Sequence, residues 1–151
     1  IAIHDTTLGP ACGGLRIWPY GSEPQAVQDA LRLSRAMTYK SAAADLPLGG
    51  GKAVLIADLH TQKTEALLRS YGRFVETLGG RYLTTSDVGS TGRDLELVRQ
   101  ETAHVLGLPT TAGGSGDTSI MTGLGIYMGM KACARRVWGN ASLTGKKVAM
   151  Q

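Results

Sequence analysis

Two lysines and an aspartate are the side chains whose setting could do chemistry. Lys52 closes the glycine run of LPLGGGKAVLIAD (46–58), Lys40 stands in AMTYK (36–40), and Asp87 falls in TTSDVG (84–89). A lysine behind glycines first suggests a phosphate cradle. The P-loop pattern needs Gly, four residues, then Gly-Lys-Ser/Thr opening a helix. Here Leu46 stands in place of the first glycine, Ala53 in place of the hydroxyl residue, and AVLIAD reads as a strand. Phosphate binding of that type is therefore excluded. Two plain alternatives remain beside a catalytic one: glycines supply positive φ in turns and a neighbouring lysine is ordinarily solvated, while an aspartate before a glycine is often only a turn residue.

The elements that must position these residues follow from patterning. IAIHDTTL (1–8) alternates and reads as a strand, and LRIWPY (15–20) as a second. Ser22 with Gln25 suits a helix start, and Ala26, Ala30, Leu33 and Met37 recur at helical spacing, so a helix is expected over 23–43. AVLIAD (53–58) reads as a strand buried on both faces. Leu67, Leu68, Tyr71, Phe74, Val75 and Leu78 form one face of a helix that Gly79 and Gly80 end. RYLTTSDVG (81–89) runs from strand to loop, Thr91 can cap a helix over DLELVRQET (94–102), and HVLG (104–107) is a candidate strand. Asp117, Thr118 or Ser119 would cap a last long helix reaching Trp138, and KKVAMQ (146–151) reads as the first strand of a further βαβ unit. Strands alternating with helices predict an α/β fold, a three-layer αβα domain around a mostly parallel sheet. In such a sheet ligands gather at the carboxyl ends of strands, where Asp87 is expected.

Composition narrows the function classes. The 151 residues are 42% apolar and 19% charged, enough for an ordinary folded domain. The +4 charge is scattered and aromatics are only 5%, which argues against a nucleic-acid platform. No apolar run approaches the roughly 20 residues of a membrane span. Cys12 and Cys133 form no framework, as in a reducing compartment, and His4, His60 and His104 lack metal-ligand spacing. A soluble, cytoplasmic protein without a metal site is expected. Glycine is the outlier at 21 residues, grouped as GPACGG, LGGGK, LGG and GGSG.

Taken together, GPACGGLR, AMTYKSAAADLPLGGGK, GGRYLTTSDVG and TGLGIYMGMKA resemble, in order and spacing, the amino-acid dehydrogenases acting on leucine, valine and phenylalanine, relatives of glutamate dehydrogenase. The resemblance implies that Lys40 binds the substrate α-carboxylate, Lys52 is the catalytic lysine and Asp87 assists proton transfer at the amino group. Gly13 and Gly14 would line the substrate site with backbone, and Thr122, with Asp117 nearby, would meet the cofactor. Helix capping explains Asp117 and Thr122 equally well. The chemistry agrees: oxidative deamination needs a cation for the carboxylate, a group that cycles protons and a hydride acceptor. A lysine serves as base only if its pKa falls well below about 10.4, which burial and a second cation at Lys40 would favour. The glycine run would then let substrate lie against bare backbone.

Where glutamate-specific relatives carry a lysine, this chain has Cys12, so a glutamate side chain would bury an unpaired charge. The resemblance thus implies an apolar substrate: leucine, valine, phenylalanine or tryptophan. Met37 is expected as a pocket wall; Leu15 stands where threonine is more usual. The resemblance also implies NAD as cofactor and a homo-oligomer. The expected organisation is a substrate-binding and catalytic domain over 1–118, a connecting helix over 119–139, and at 146–151 the first strand of an NAD-binding Rossmann domain cut off at Gln151. A short segment is expected to precede residue 1, the glycines at 113, 114 and 116 could be a hinge, and the chain alone is expected to be inactive. Two other readings stay open: a non-catalytic assembly or ligand-binding module, and an enzyme condensing an imino acid on the same scaffold.

Overall fold

The computed structural model describes residues 1–150 and divides into two compact units, Ile1–Gly116 and Asp117–Gln151. The division falls two residues before the expected boundary at 118. The first unit holds a four-stranded sheet in the order β1-β3-β2-β4, with β1 Ala2–Asp5, β2 Ala11–Trp18, β3 Gly49–Ile56 and β4 Tyr82–Ser86. β2 runs parallel to both neighbours, and only β1 is antiparallel, to β3. Helix α1 (Glu23–Ala43) lies on one face; α2 (Glu65–Thr77) and α3 (Gly92–Arg99) cover the other. This is the expected three-layer α/β arrangement.

Strand alternation assigns the faces. Gly51 and Ala53 of β3 look toward the core formed by Leu15, Ile17 and Tyr82 of the sheet with Leu68, Tyr71, Val75, Leu95 and Val98 of the two helices. Gly50 and Lys52 look the other way, toward α1. A Cβ on Gly50 would overlap the backbone of Thr38 and the Ser34 carbonyl, so α1 rests directly on that glycine. The buried polar groups of the core are paired: the Tyr71 hydroxyl and Thr84 Oγ1 lie 2.7 Å apart, and the Tyr82 hydroxyl donates to the Gly13 carbonyl at 2.7 Å.

Helix α1 forms where expected, with a proline in its first turn but no side-chain cap from Ser22. α2 is capped by Thr64, whose oxygen accepts from the Leu67 N–H, and Gly79 and Gly80 follow it with positive φ. Thr91 and Asp94 close a reciprocal capping box on α3. In the second unit, α4 runs Thr118–Trp138 from the Asp117 cap to Gly139, which takes φ 74°.

Several expectations are corrected. The glycines before Lys52 lie in a strand, not a turn, as do those of ACGG: β2 begins at Ala11, β3 at Gly49, and none of Gly49, Gly50 and Gly51 has positive φ. β1 stops at Asp5, whose carboxylate turns back to accept the Thr7 N–H at 2.7 Å. β3 is not buried on both faces to its end. β1 reaches only as far as Lys52, so Ile56 lies on an uncovered edge and is 50% exposed. HVLG contributes a single bridge, Val105 to Thr84, and α3 ends at Arg99 instead of 102. The strand expected at 146–151 does not form over 146–150, because a strand exists only within a ladder and no described residue pairs with it; Gln151 lies outside the described residues.

Candidate active site

Lys52 is the least expected residue of the sheet, an amine only 4% exposed on the α1-facing side of β3. Its Nζ lies 2.9 Å from Asp87 Oδ2. Asp87 follows β4, and its loop is pinned to β2: the Asp87 N–H donates to Ser90 Oγ at 2.9 Å, and that hydroxyl donates to the Leu15 carbonyl at 2.6 Å. Between the two strands, Gly14 leaves the space the pair needs. A Cβ there would stand 2.7 Å from Asp87 Cβ and 3.3 Å from Lys52 Nζ. Gly14 is therefore required by the pair itself.

The other glycines allow close backbone approaches. A Cβ on Gly13 would overlap the Gly51 carbonyl, one on Gly51 would come within 2.7 Å of the Tyr82 ring, and Gly50 touches α1. They bring strands and helix close together, which buries Lys52.

The cation set against Lys52 is one that sequence reasoning passed over. Arg16 donates through Nε to the same Asp87 Oδ2 at 2.8 Å and through a terminal nitrogen to Asp29 Oδ2 at 2.9 Å. The Tyr20 hydroxyl donates to that Asp29 oxygen at 2.6 Å. A signal was present: Cys12, Gly14 and Arg16 alternate along β2 and share one face. Asp87 Oδ1 accepts no hydrogen bond among the described residues, so one carboxylate oxygen stays open.

These contacts set the proton affinities. Burial lowers the pKa of Lys52 below that of an ordinary lysine; Asp87 opposes the shift and Arg16 adds to it. Burial works to raise Asp87, but Lys52 and Arg16 prevail and hold it below the usual carboxylate range. Burial pushes the Cys12 thiol up, opposed by the charge of Lys40.

The remaining expected residues are less closely joined. Lys40 sits exposed in the last turn of α1, Cys12 is buried in β2, and Met37 is half-buried beside Thr38, which touches Gly50. Asp117 and Thr122 belong to the second unit and are engaged within their own helix: Asp117 accepts the Ser119 N–H at 2.8 Å, and Thr122 donates to the Thr118 carbonyl at 2.9 Å. No described cluster of His, Cys, Asp and Glu could hold a metal ion, and no described helix is long and apolar enough to cross a membrane.

Residues 1–104 match the family model for the Glu/Leu/Phe/Val dehydrogenase dimerisation domain. The leucine dehydrogenase of Geobacillus stearothermophilus is 55% identical over 151 residues, all of this chain and 41% of its own length. The valine dehydrogenase of Streptomyces virginiae is 50% identical over 150 residues, 99% of this chain and 42% of its own. The crystal structure of L-tryptophan dehydrogenase from Nostoc punctiforme superposes with a TM-score of 0.70 at 50% identity, over 95% of this chain and 39% of that one. The chain thus spans about two fifths of the length of these relatives. By that match it belongs to the Glu/Leu/Phe/Val dehydrogenase family.

Proposed function

We propose that this chain is the substrate-binding and catalytic part of an NAD-dependent dehydrogenase that reversibly deaminates an apolar L-amino acid to its 2-oxo acid and ammonia. The observation that carries the reading is the buried Lys52 amine, 2.9 Å from an aspartate whose second oxygen is open. An amine with lowered pKa gives up its proton more readily than an ordinary lysine and can act as a general base. Lys52 takes a proton from the water that adds to the imino carbon, and Asp87, through Oδ1, moves protons on and off the departing amino group. Lys40, at the exposed end of α1, pairs with the substrate carboxylate. Gly13 and Gly14 border the site, and Met37 and Cys12 contribute its apolar wall. Cys12 offers no cation to a side-chain carboxylate, so leucine, valine, phenylalanine or tryptophan is accepted and glutamate is rejected.

The glycine run 49–51 is close-packed strand and offers no pyrophosphate cradle. NAD is the cofactor proposed for the whole enzyme, with Thr122 and Asp117 as its candidate contacts beyond their bonds within α4. We place the enzyme in the cytoplasm, consistent with two free cysteines. The family description, a dimerisation domain, supports a homo-oligomer and keeps an assembly role as a second reading. The test is NAD reduction by a full-length dehydrogenase carrying this chain, offered leucine, valine, phenylalanine, tryptophan and glutamate. Turnover of an apolar substrate, lost by on the order of 10²-fold or more in Lys52→Ala, is expected. Activity retained in that variant would remove Lys52 from the chemistry, and silence on all five substrates would favour the assembly role.

A further inference from the structure

We propose that Arg16, anchored by Asp29, is a positioning residue that holds Asp87 by one oxygen and tunes proton transfer at Lys52. The inference rests on the catalytic reading of Lys52 and Asp87 above.

A lysine paired with a single aspartate is a poor base, because the carboxylate favours the charged amine and would be left alone in a partly buried place once the proton departed. The structure supplies what such a pair lacks. Asp87 Oδ2 receives Lys52 at 2.9 Å and Arg16 Nε at 2.8 Å, so the carboxylate keeps a cation when Lys52 becomes neutral. Guanidinium does not lose its proton in proteins, which makes Arg16 a constant partner. Because both cations use Oδ2, Oδ1 stays available for the substrate amino group.

Asp29 determines where Arg16 sits. Its Oδ2 accepts from Arg16 at 2.9 Å and from the Tyr20 hydroxyl at 2.6 Å. The guanidinium is thereby held between β2, the loop after β4 and α1. The groups acting on Lys52 are Asp87, Arg16 and Asp29; those acting on Asp29 are Tyr20, Arg16 and Arg32. The row alternates in sign from Lys52 through Asp87 and Arg16 to Asp29. Removing Arg16 or Asp29, successive members of opposite charge, should therefore push Lys52 in opposite directions, which a general loosening of the fold would not do.

The test follows the Lys52 signal with pH by NMR in a full-length, ¹³C-lysine-labelled dehydrogenase carrying this chain, the signal being assigned by its absence in Lys52→Ala. Arg16→Met should move the titration midpoint upward by about one pH unit, equivalent to roughly a tenfold loss of turnover on the acid limb of the pH profile. Asp29→Asn should move it downward by less, and Arg16→Lys should recover most of the Arg16→Met displacement. An unmoved midpoint in Arg16→Met, or displacement of both variants in one direction, would overturn the proposal. Should Arg16→Met not fold, an unmoved or raised midpoint in Asp29→Asn would do the same. If the wild type turns over no amino acid, the assigned function fails while the midpoints still decide the role of Arg16.

Discussion

Two clusters of acids and bases sit on the first unit, and they differ in what surrounds them. On the sheet, Lys52, Asp87, Arg16 and Asp29 alternate in sign, and the Lys52 side chain is only 5% exposed. On the helical layer, Arg69 joins Glu65 at 3.4 Å and Glu101 at 2.7 Å, Arg73 reaches Glu101 at 3.4 Å, and the Arg69 side chain is 40% exposed. The distances are similar, so geometry alone does not separate them. In the outer cluster the arginines lie well exposed to water, which screens their pairing, and Arg69 holds Glu101 below the usual carboxylate range. On the sheet, burial works against the charged lysine, which suits the pair to the proton transfer proposed for it.

The largest expected contrast comes from making the same change in both places. Asp87→Asn should lower turnover of the full-length enzyme by on the order of 10²-fold, whereas Glu101→Gln should leave turnover unchanged. Both replace a carboxylate with an amide of nearly equal shape, so steady-state kinetics on the two variants reads the chemistry and not the packing. Equal losses would erase the distinction between the clusters.

Next comes the space that keeps the inner pair together. Gly14→Ala would place a methyl 2.7 Å from Asp87 Cβ and 2.8 Å from the Ser86 carbonyl, inside contact distance. Overpacking of this kind costs about 1–3 kcal/mol, read by chemical denaturation, and turnover should fall with it. An alanine tolerated without loss would show that the β4 loop can move aside, and that the short Lys52 to Asp87 distance is not enforced by β2.

Much of the scaffold around these clusters was legible in the sequence. α1 and α4 announced themselves by helical spacing and by their ends, and the alternation of strands and helices gave the α/β class. The glycine strands were not legible, because glycine has no side chain to carry a period. Its meaning in β2 and β3 lies in contacts across layers, Gly50 against α1 and Gly51 against Tyr82. Lys52 and Asp87 stood out through their local settings, and the fold puts them in contact. Arg16 did not stand out, because a charged residue between apolar neighbours in a strand reads as a solvent-facing position; only the placement of Asp29 on α1 turns that face into a half-buried network. The end of β3 was misread for a related reason: AVLIAD looks like a central strand, yet the register with β1 stops at Lys52.

The smallest expected effect concerns stability instead of turnover, and it separates the clusters by its pH dependence. The folded state lowers the pKa of Lys52 below the ordinary lysine value of 10.5, so folding disfavours its protonated form. Below the folded pKa the full penalty is present. As pH rises from there toward 10.5 the folded protein has already shed the proton while the unfolded chain still binds it, and stability gains. Lys52→Met removes this contribution and leaves Asp87 with Arg16. The stability advantage of the Met variant over wild type should therefore be greatest near neutrality and shrink as the medium becomes alkaline. Glu101→Gln, which alters only the outer cluster, should differ from wild type by an amount that does not change over the same interval. Denaturation curves for the three proteins between neutral and alkaline pH measure both gaps. A constant gap for Lys52→Met would mean that Lys52 holds its proton as an ordinary surface lysine does, and the two clusters would then differ in position but not in chemistry.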